Sequence, residues 1–214
     1  MNCNVCGNEV PQFISRLRFD GTTSLDCPIC QSYQRHRALV KGFSALWAQD
    51  IRLLHIGPYS ATVKYFWRTV EGRPGFSYIP VDVRPREFGV INLDISRVAL
   101  KIAPSDVVIC KHVLEYVVND VQAMENITES TKSGGKLILD VPLKSGVTDR
   151  PNVMPKEAER ITRFGQADHL RYYGEDDILG WVSVFGFTVD FQKINADASI
   201  GLDVPYWFIV GQKI

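Results

Sequence analysis

The stretch SDVVICKHVLEYVVNDVQAMENI, residues 105–127, combines a strand pattern with a helical pattern. Residues 106–110 form a short apolar run, which is typical of a strand buried on both faces of a sheet. A helix is predicted near 118–132. His112 directly follows the strand, at the sheet edge where open α/β folds bind ligands. The alternative is a histidine whose ring is satisfied by a backbone partner.

The alternation of strands and helices continues along the chain. Strands are also predicted at 51–56, 77–82, 90–92, 136–141, 187–192 and 205–211, and helices near 60–70, 155–163 and 175–185. Ser133-Gly134-Gly135 is expected to end a helix and turn into a strand. Only KINADASIGLDV joins the last two strands, so they should form an antiparallel hairpin. The pattern predicts an α/β fold with a doubly wound, mostly parallel sheet of seven strands.

Composition narrows the class of protein. The chain has 214 residues, 45% of them hydrophobic, and 24 basic residues balance 24 acidic ones. Such a chain can bury one large core and a small appendage, and without a cationic field nucleic acid is an unlikely partner. No apolar run reaches membrane-spanning length and the first residues lack a signal-peptide pattern, so we expect a cytoplasmic protein with no membrane partner.

Four cysteines lie near the amino terminus as Cys3-x-x-Cys6 and Cys27-x-x-Cys30. Two such turns offer four thiolates to a tetrahedral zinc ion, which would be structural because all its ligands come from the protein. Two disulfides are the alternative, but they suit an oxidising compartment. A hairpin turning at Asp20-Gly21 between the pairs and a helix after them give a treble-clef-like order. We therefore expect a zinc-binding module and linking helix over 1–50 and a second domain over 51–214.

A parallel sheet that ends in an antiparallel hairpin resembles the class I S-adenosylmethionine-dependent methyltransferases, which have a Rossmann-like fold. In that family a Gly-x-Gly-x-Gly turn follows the first strand, and Gly57 matches its first glycine. His55 stands where an acidic residue is common. The resemblance implies that His55, Gly57 and Pro58 border S-adenosylmethionine, although an ordinary strand end could also carry a single Gly-Pro turn.

Further positions of the resemblance follow the next strands. Asp82 and Val83 end the second strand, where the family's carboxylate binds the ribose hydroxyls; an Asp in a solvated turn is the alternative. Asp94 and Ile95 match a segment that borders adenine, with a helix N-cap as the alternative. Lys111 begins a turn similar to the family's His-Val-Leu-Glu-His segment, and it is expected to contact the cofactor.

The segment 142–173 is long enough to form a cover over the transferred methyl group. His169 is the first candidate for a general base and His112 the second, because histidine titrates near neutral pH. Candidate substrate-binding residues are Arg37, Arg160, Arg171 and Tyr172. Surface ion pairs are the alternative for the arginines of this segment. Arg35, His36 and Arg37 directly follow the second cysteine pair and are expected to bridge to the mouth of the active site, with solvated helix charges as the alternative.

The cysteine pairs, the LHIGP strand and ERITRFGQADHLRYYG are together similar to a bacterial subgroup of methyltransferase-domain proteins, often associated with surface polysaccharides or secondary metabolites. This similarity implies O-methylation of a small molecule or a sugar or glycan intermediate. An RNA methyltransferase that uses the zinc module for RNA contact is the second hypothesis. A non-catalytic binding module is the third.

Overall fold

The computed structural model describes residues 1–18, 22–97, 102–151 and 153–214. The strands are β1 Ile14–Leu17, β2 Thr23–Asp26, β3 Arg52–Ile56, β4 Ser77–Asp82, β5 Ile91–Asn92, β6 Ser105–Lys111, β7 Thr131–Asp140, β8 Leu143–Lys144, β9 Tyr173–Gly174, β10 Phe187–Ile194 and β11 Tyr206–Lys213. The helices are α1 Gln34–Gly42, α2 Ser44–Trp47, α3 Ser60–Gly72, α4 Asp120–Glu129, α5 Glu157–Phe164 and α6 Ile178–Ser183. A 3-10 helix, Ala198–Ile200, lies between β10 and β11.

Seven strands form the main sheet in the order β10-β11-β7-β6-β3-β4-β5. The five strands from β7 to β5 are parallel, whereas β11 is antiparallel to β7 and β10 is antiparallel to β11. The predicted fold class and the terminal hairpin are thus confirmed. Since parallel strands end at the same edge, the chain segments after β3, β4, β5, β6 and β7 all meet there.

Helices cover both faces of this sheet, because successive strand residues point to opposite sides. Leu54 of β3 belongs to a core shared with α4 and α6, and the neighbouring Leu53 belongs to a core shared with α1, α2 and α3. In β6, Val108 belongs to the same core as Leu54, and Val107 belongs to the same core as Leu53. This two-sided burial explains why the central strands have continuous apolar sequences.

The segment Ser133-Gly134-Gly135 differs from its prediction. It lies inside β7, and α4 ends at Glu129 rather than near 132. Ser105 pairs with Thr131 but Val107 pairs with Lys136, so the strand bulges between these pairs. Gly134 has a φ of +71°, a left-handed conformation that glycine adopts without steric cost. The glycines therefore form a bulge within the strand instead of a turn before it.

The amino-terminal module packs directly on the rest of the chain. Strands β1 and β2 form the expected antiparallel hairpin, and the proposed turn at Asp20-Gly21 lies outside the described residues. Val5 and Phe13 share an apolar cluster with Ala61 of α3. Arg68 of α3 donates hydrogen bonds to the carbonyl oxygens of Val5 and Cys6. Among the described helices, none combines the length and apolar character that crossing a bilayer requires.

Candidate active site

A cleft of about 670 Å³ lies where β3, β4, β5 and β6 end. It is lined by every residue that the sequence placed near the cofactor, namely His55, Gly57, Pro58, Asp82, Val83, Asp94, Ile95 and Lys111, and also by His112. These residues come from four strand ends that are far apart in the sequence. The parallel topology brings them together.

The turn after β3 requires glycine at its first position. Gly57 has a φ of +63°, and its amide donates a hydrogen bond to the carbonyl oxygen of Val81 at 2.9 Å. A Cβ atom on Gly57 would lie less than 3.0 Å from the side chain of Val113. The turn after β3 and the turn after β6 therefore approach each other more closely than any other residue would allow.

Tyr59 stabilises the same turn from its other side. Its ring stacks on His36 with centroids 4.7 Å apart and contacts Tyr33 at 5.0 Å. Tyr33 and His36 directly follow the cysteine pairs, and the Tyr33 amide donates to His36 Nδ1 at 3.0 Å. The amino-terminal module thus contributes a wall of the cleft. Arg35 and His36 thus reach the cleft as the bridge hypothesis expected, whereas the contact with Tyr59 was not predicted, because no sequence pattern links residue 59 to residue 36.

Asp82 and Asp94 each place a carboxylate in the cleft while one oxygen closes a local turn. Asp82 Oδ1 accepts from the Arg84 amide at 2.6 Å. Asp94 Oδ1 accepts from the amide and hydroxyl of Ser96, and its Oδ2 pairs with Arg97 at 3.1 Å. Asp82 and Asp94 therefore each stabilise the turn that follows them. The second oxygen of Asp82, Oδ2, can still accept a hydrogen bond from a ligand hydroxyl.

Lys111 and Asp140 form a buried ion pair beneath the cleft. Lys111 Nζ lies 2.5 Å from Asp140 Oδ2, which also accepts from the Tyr206 hydroxyl at 3.0 Å. Burial is the largest influence on Asp140 and opposes its ionisation, but the surrounding positive charges, first that of Lys111, together with the hydrogen bond from Lys111 outweigh burial and lower the pKa of the carboxyl below its usual value. Because its ammonium is already paired, Lys111 fixes the ends of β6 and β7 relative to each other.

His112 has a strained backbone and a carboxylate partner. Its φ of +50° is uncommon for a residue with a side chain. Its Nδ1 lies 3.0 Å from Oε1 of Glu115, which is fully buried. Nε2 is buried and has no hydrogen-bond partner among the described residues; its distance to Asp140 Oδ2 is 3.6 Å. The two ring nitrogens therefore face two different carboxylates, Nδ1 that of Glu115 and Nε2 that of Asp140.

His169 lies behind the cleft wall and does not line the cleft. Its side chain is buried, and Nε2 lies 3.0 Å from the hydroxyl of Tyr116, which does line it. Burial lowers the pKa of His169 and raises that of Tyr116. The residue predicted first as the base therefore reaches the cleft only through a tyrosine.

The four residues expected to bind substrate do not line the cleft. The guanidinium of Arg37 is fully buried and donates to the carbonyl oxygens of Ser32, Leu25 and Gly201. Arg171 is also buried and donates to the carbonyl oxygens of Leu114, Val117 and Val118. Arg160 donates to the carbonyl oxygens of Pro155 and Ala167, and Tyr172 packs near Phe164 and His169. The structure therefore does not bring these arginines to the cleft, and their guanidinium groups donate to backbone carbonyls instead.

The expected cover is mostly packed against the body of the protein. Of the described residues in 142–173, only Asp168 lines the cleft. Arg150 pairs with Asp120 of α4 at 2.5 Å, and β8 pairs with β9. In this conformation the segment borders the cleft at one point and does not cover it.

The four cysteine sulfurs converge at one place. All four lie within 4.8 Å of one another, with 3.8 Å between Cys3 and Cys30 and 3.9 Å between Cys6 and Cys27. A disulfide would require about 2.0 Å. Sulfurs bound tetrahedrally to zinc at ~2.3 Å lie ~3.8 Å apart. The arrangement therefore fits a four-thiolate metal site and does not fit two disulfides.

Residues 32–192 match a family model described as a methyltransferase domain. The chain belongs to this methyltransferase family. It is a class I methyltransferase, the class whose members take the methyl group from S-adenosylmethionine. The family match begins at Ser32, so it includes α1 and α2 as well as the sheet up to Gln192.

Solved structures show the same fold at low sequence identity. The methyltransferase superposes on the Burkholderia thailandensis 1,6-didemethyltoxoflavin-N1-methyltransferase with a TM-score of 0.57 and 14% identity, over 84% of this chain and 78% of that one. An S-adenosylmethionine-dependent methyltransferase from Mesorhizobium loti gives 0.54 and 13% identity, over 82% and 98% of the two chains. A Burkholderia thailandensis O-methyltransferase family protein gives 0.54 and 14%, over 84% and 56%. Comparison with curated protein sequences gives no match.

Proposed function

We propose that this methyltransferase transfers the methyl group of S-adenosylmethionine to a hydroxyl group of a small molecule or of a sugar or glycan intermediate. The bound sulfonium would supply an electrophilic methyl carbon. Family membership supports the donor, and the position of the cleft at the carboxyl ends of parallel strands supports the site. The residues present fit the cofactor, because Gly57 and the carboxylate of Asp82 both line the cleft and Asp82 Oδ2 can accept from a hydroxyl.

The cofactor would lie across the ends of β3 and β4. Asp82 would accept from the ribose hydroxyls, and Asp94 with Ile95 would border the adenine. His55 would contribute no charge: its Nδ1 lies 3.1 Å from the Tyr78 hydroxyl, and burial, followed by the nearby Lys111, lowers its pKa to about 3. We therefore expect the backbone of Gly57 and the carboxylate of Asp82 to dominate binding.

His112 is the proposed general base, and its pairing with Glu115 is the observation that carries the proposal. A hydroxyl must lose its proton as the methyl group is transferred, so a neutral imidazole nitrogen facing the acceptor assists the reaction. Glu115 holds the Nδ1 side of the ring, and Nε2, which lies buried 3.6 Å from Asp140 Oδ2, would have to turn toward the acceptor to take that role. Strained residues cluster at functional sites, and the φ of His112 is of this kind. His169 is the weaker candidate because Tyr116 separates it from the cleft.

The four cysteines are proposed to bind one structural zinc ion. Their separations of 3.8 and 3.9 Å fit the tetrahedral geometry, and Ser32 Oγ lies 3.4 Å from the sulfur of Cys3 and 3.2 Å from that of Cys30. The metal would fix Tyr33 and His36, which stack on Tyr59 of the cofactor turn. Zinc would thus support binding without taking part in the chemistry.

Transfer of an isotope-labelled methyl group to a panel of hydroxylated metabolites, with total RNA as a rival acceptor, tests this function. We expect methyl ether products with small molecules and no label in RNA. His112→Asn should lower kcat about 100-fold or more while S-adenosylhomocysteine still binds, and His169→Asn should have a smaller effect. Label in RNA alone, or equal losses in both variants, would contradict the assignment.

A further inference from the structure

Arg35 is a cation in the cleft without an ionic partner. It lies in α1, between the cysteine pairs and the sheet, and its side chain lines the cleft. None of the described residues places a carboxylate within ion-pair distance of its guanidinium, which lies 4.8 Å above the Tyr33 ring. Of the other cations that line the cleft, Lys111 pairs with Asp140 and Arg97 with Asp94, whereas Arg84 and Arg86 follow β4 beside Asp82.

The charge of Arg35 acts on the half of the sheet edge that lies away from Asp82. Burial is the largest influence on the pKa values of Lys111, Asp140, Tyr116 and Tyr206, and the charge of Arg35 makes a smaller contribution that lowers each of them. These residues belong to β6, β7, β11 and the turn after β6, whereas Asp82 ends β4 on the other side of β3. Arg35 lines the same cleft as His112 and Tyr116, where an acceptor would meet the methyl group.

We propose that Arg35 binds an anionic group of the methyl acceptor, so that the substrate is a hydroxyl compound that also carries a carboxylate or phosphate. This inference rests on the proposed function. The planar guanidinium can bind either anion through two parallel hydrogen bonds. Stacking on Tyr33 restricts the orientation of the side chain before the anion arrives, which reduces the entropy that binding would cost.

The pairing of the neighbouring charges leaves Arg35 available to an anion. Lys111 lies against Asp140, and the Glu115 carboxylate lies against His112. Among the described residues no carboxylate, including that of Asp168 in the same cleft, lies within ion-pair distance of Arg35. An anion held by Arg35 would fix the acceptor, so that its hydroxyl could be directed toward His112.

Calorimetry on protein saturated with S-adenosylhomocysteine tests the proposal with three probes: inorganic phosphate, hydroxybenzoate and the neutral hydroxybenzamide. We expect phosphate or hydroxybenzoate to bind wild-type protein more tightly than hydroxybenzamide. Arg35→Met should weaken anion binding about 10-fold or more, Arg35→Lys should restore part of it, and affinity for S-adenosylhomocysteine should stay within about 3-fold of wild type. Arg86→Met is the matched control, because it removes a positive charge from the part of the cleft that follows β4, where the ribose is proposed to bind. It should not change the affinity for the anionic probes.

Three results would overturn the proposal. One is a loss of S-adenosylhomocysteine affinity in Arg35→Met, which would assign Arg35 to the cofactor. The others are an anion response that survives Arg35→Met and the absence of any anion response in wild-type protein. Failure of wild-type protein to bind S-adenosylhomocysteine at all would instead contradict the proposed function, so the two failures are distinguishable.

Discussion

Replacing Gly57 by alanine tests whether the cofactor turn has the tight geometry described above. Alanine would have to adopt a φ of +63°, which costs about 1–2 kcal/mol for a residue with a Cβ atom. The same Cβ would overlap Val113, and overpacking of this kind costs about 1–3 kcal/mol. We expect the free energy of unfolding to fall by about 2–5 kcal/mol, which for a protein of this size lowers Tm by about 4–20 °C.

Repeating the substitution in Val113→Ala protein separates the cost of the left-handed backbone from the cost of the overlap with Val113. In Val113→Ala protein the overlap disappears, so Gly57→Ala should there cost only the ~1–2 kcal/mol of the backbone term. Gly180→Ala is the matched control, since Gly180 lies inside α6, where an added Cβ would meet no atom within 4 Å, and it should gain about 0.5–1 kcal/mol. Chemical denaturation measures all four variants. An equal cost of Gly57→Ala in both backgrounds, or a cost below ~0.5 kcal/mol, would refute the reasoning.

Metal analysis should find one zinc ion per chain, and Cys27→Ser should abolish it and also weaken S-adenosylhomocysteine binding; full binding without metal would contradict the link through Tyr59. Arg171→Met should reduce the free energy of unfolding by about 2 kcal/mol or more, because it removes the donors of the buried Leu114 carbonyl and of the part-buried Val117 and Val118 carbonyls. An unchanged stability with a raised KM would instead restore its role in substrate binding. Because the folded-state pKa of His55 is lowered from 6.5 to about 3, its contribution to stability is complete above pH 6.5 and is lost as pH falls toward 3. Between pH 6.5 and 3, the free energy of unfolding should fall less steeply with pH in His55→Gln than in wild-type protein, by up to ~1.4 kcal/mol per pH unit. Identical slopes of the free energy of unfolding against pH in the two proteins would exclude the effect.

The sheet and the position of the cleft could be predicted because they depend on local patterns. Short apolar runs such as 51–56 and 77–82 correspond closely to β3 and β4. Once the strands are parallel, their carboxyl ends must share an edge, and this rule brings Gly57, Asp82 and His112 to one cleft. No long-range contact needs to be known for that inference.

The arginines could not be assigned in the same way. Arg35 and Arg37 are two residues apart on one helix, yet Arg35 lines the cleft and Arg37 is buried among backbone carbonyls. The difference depends on the carbonyl oxygen of Gly201, which is distant in sequence. The same limit applies to His169, whose partner Tyr116 lies on another segment. Side-chain roles set by tertiary contacts are not encoded in local spacing.

Calorimetric titration of the purified protein with S-adenosylhomocysteine tests the central claim most directly. The proposed cleft predicts one binding site per chain. Asp82→Ala should weaken affinity about 10-fold or more while leaving thermal stability near that of wild type, because the carboxylate would contribute charge-assisted hydrogen bonds to the ligand. No binding of S-adenosylhomocysteine at millimolar concentration, or equal affinity in wild type and Asp82→Ala, would contradict the assignment of this cleft as the cofactor site.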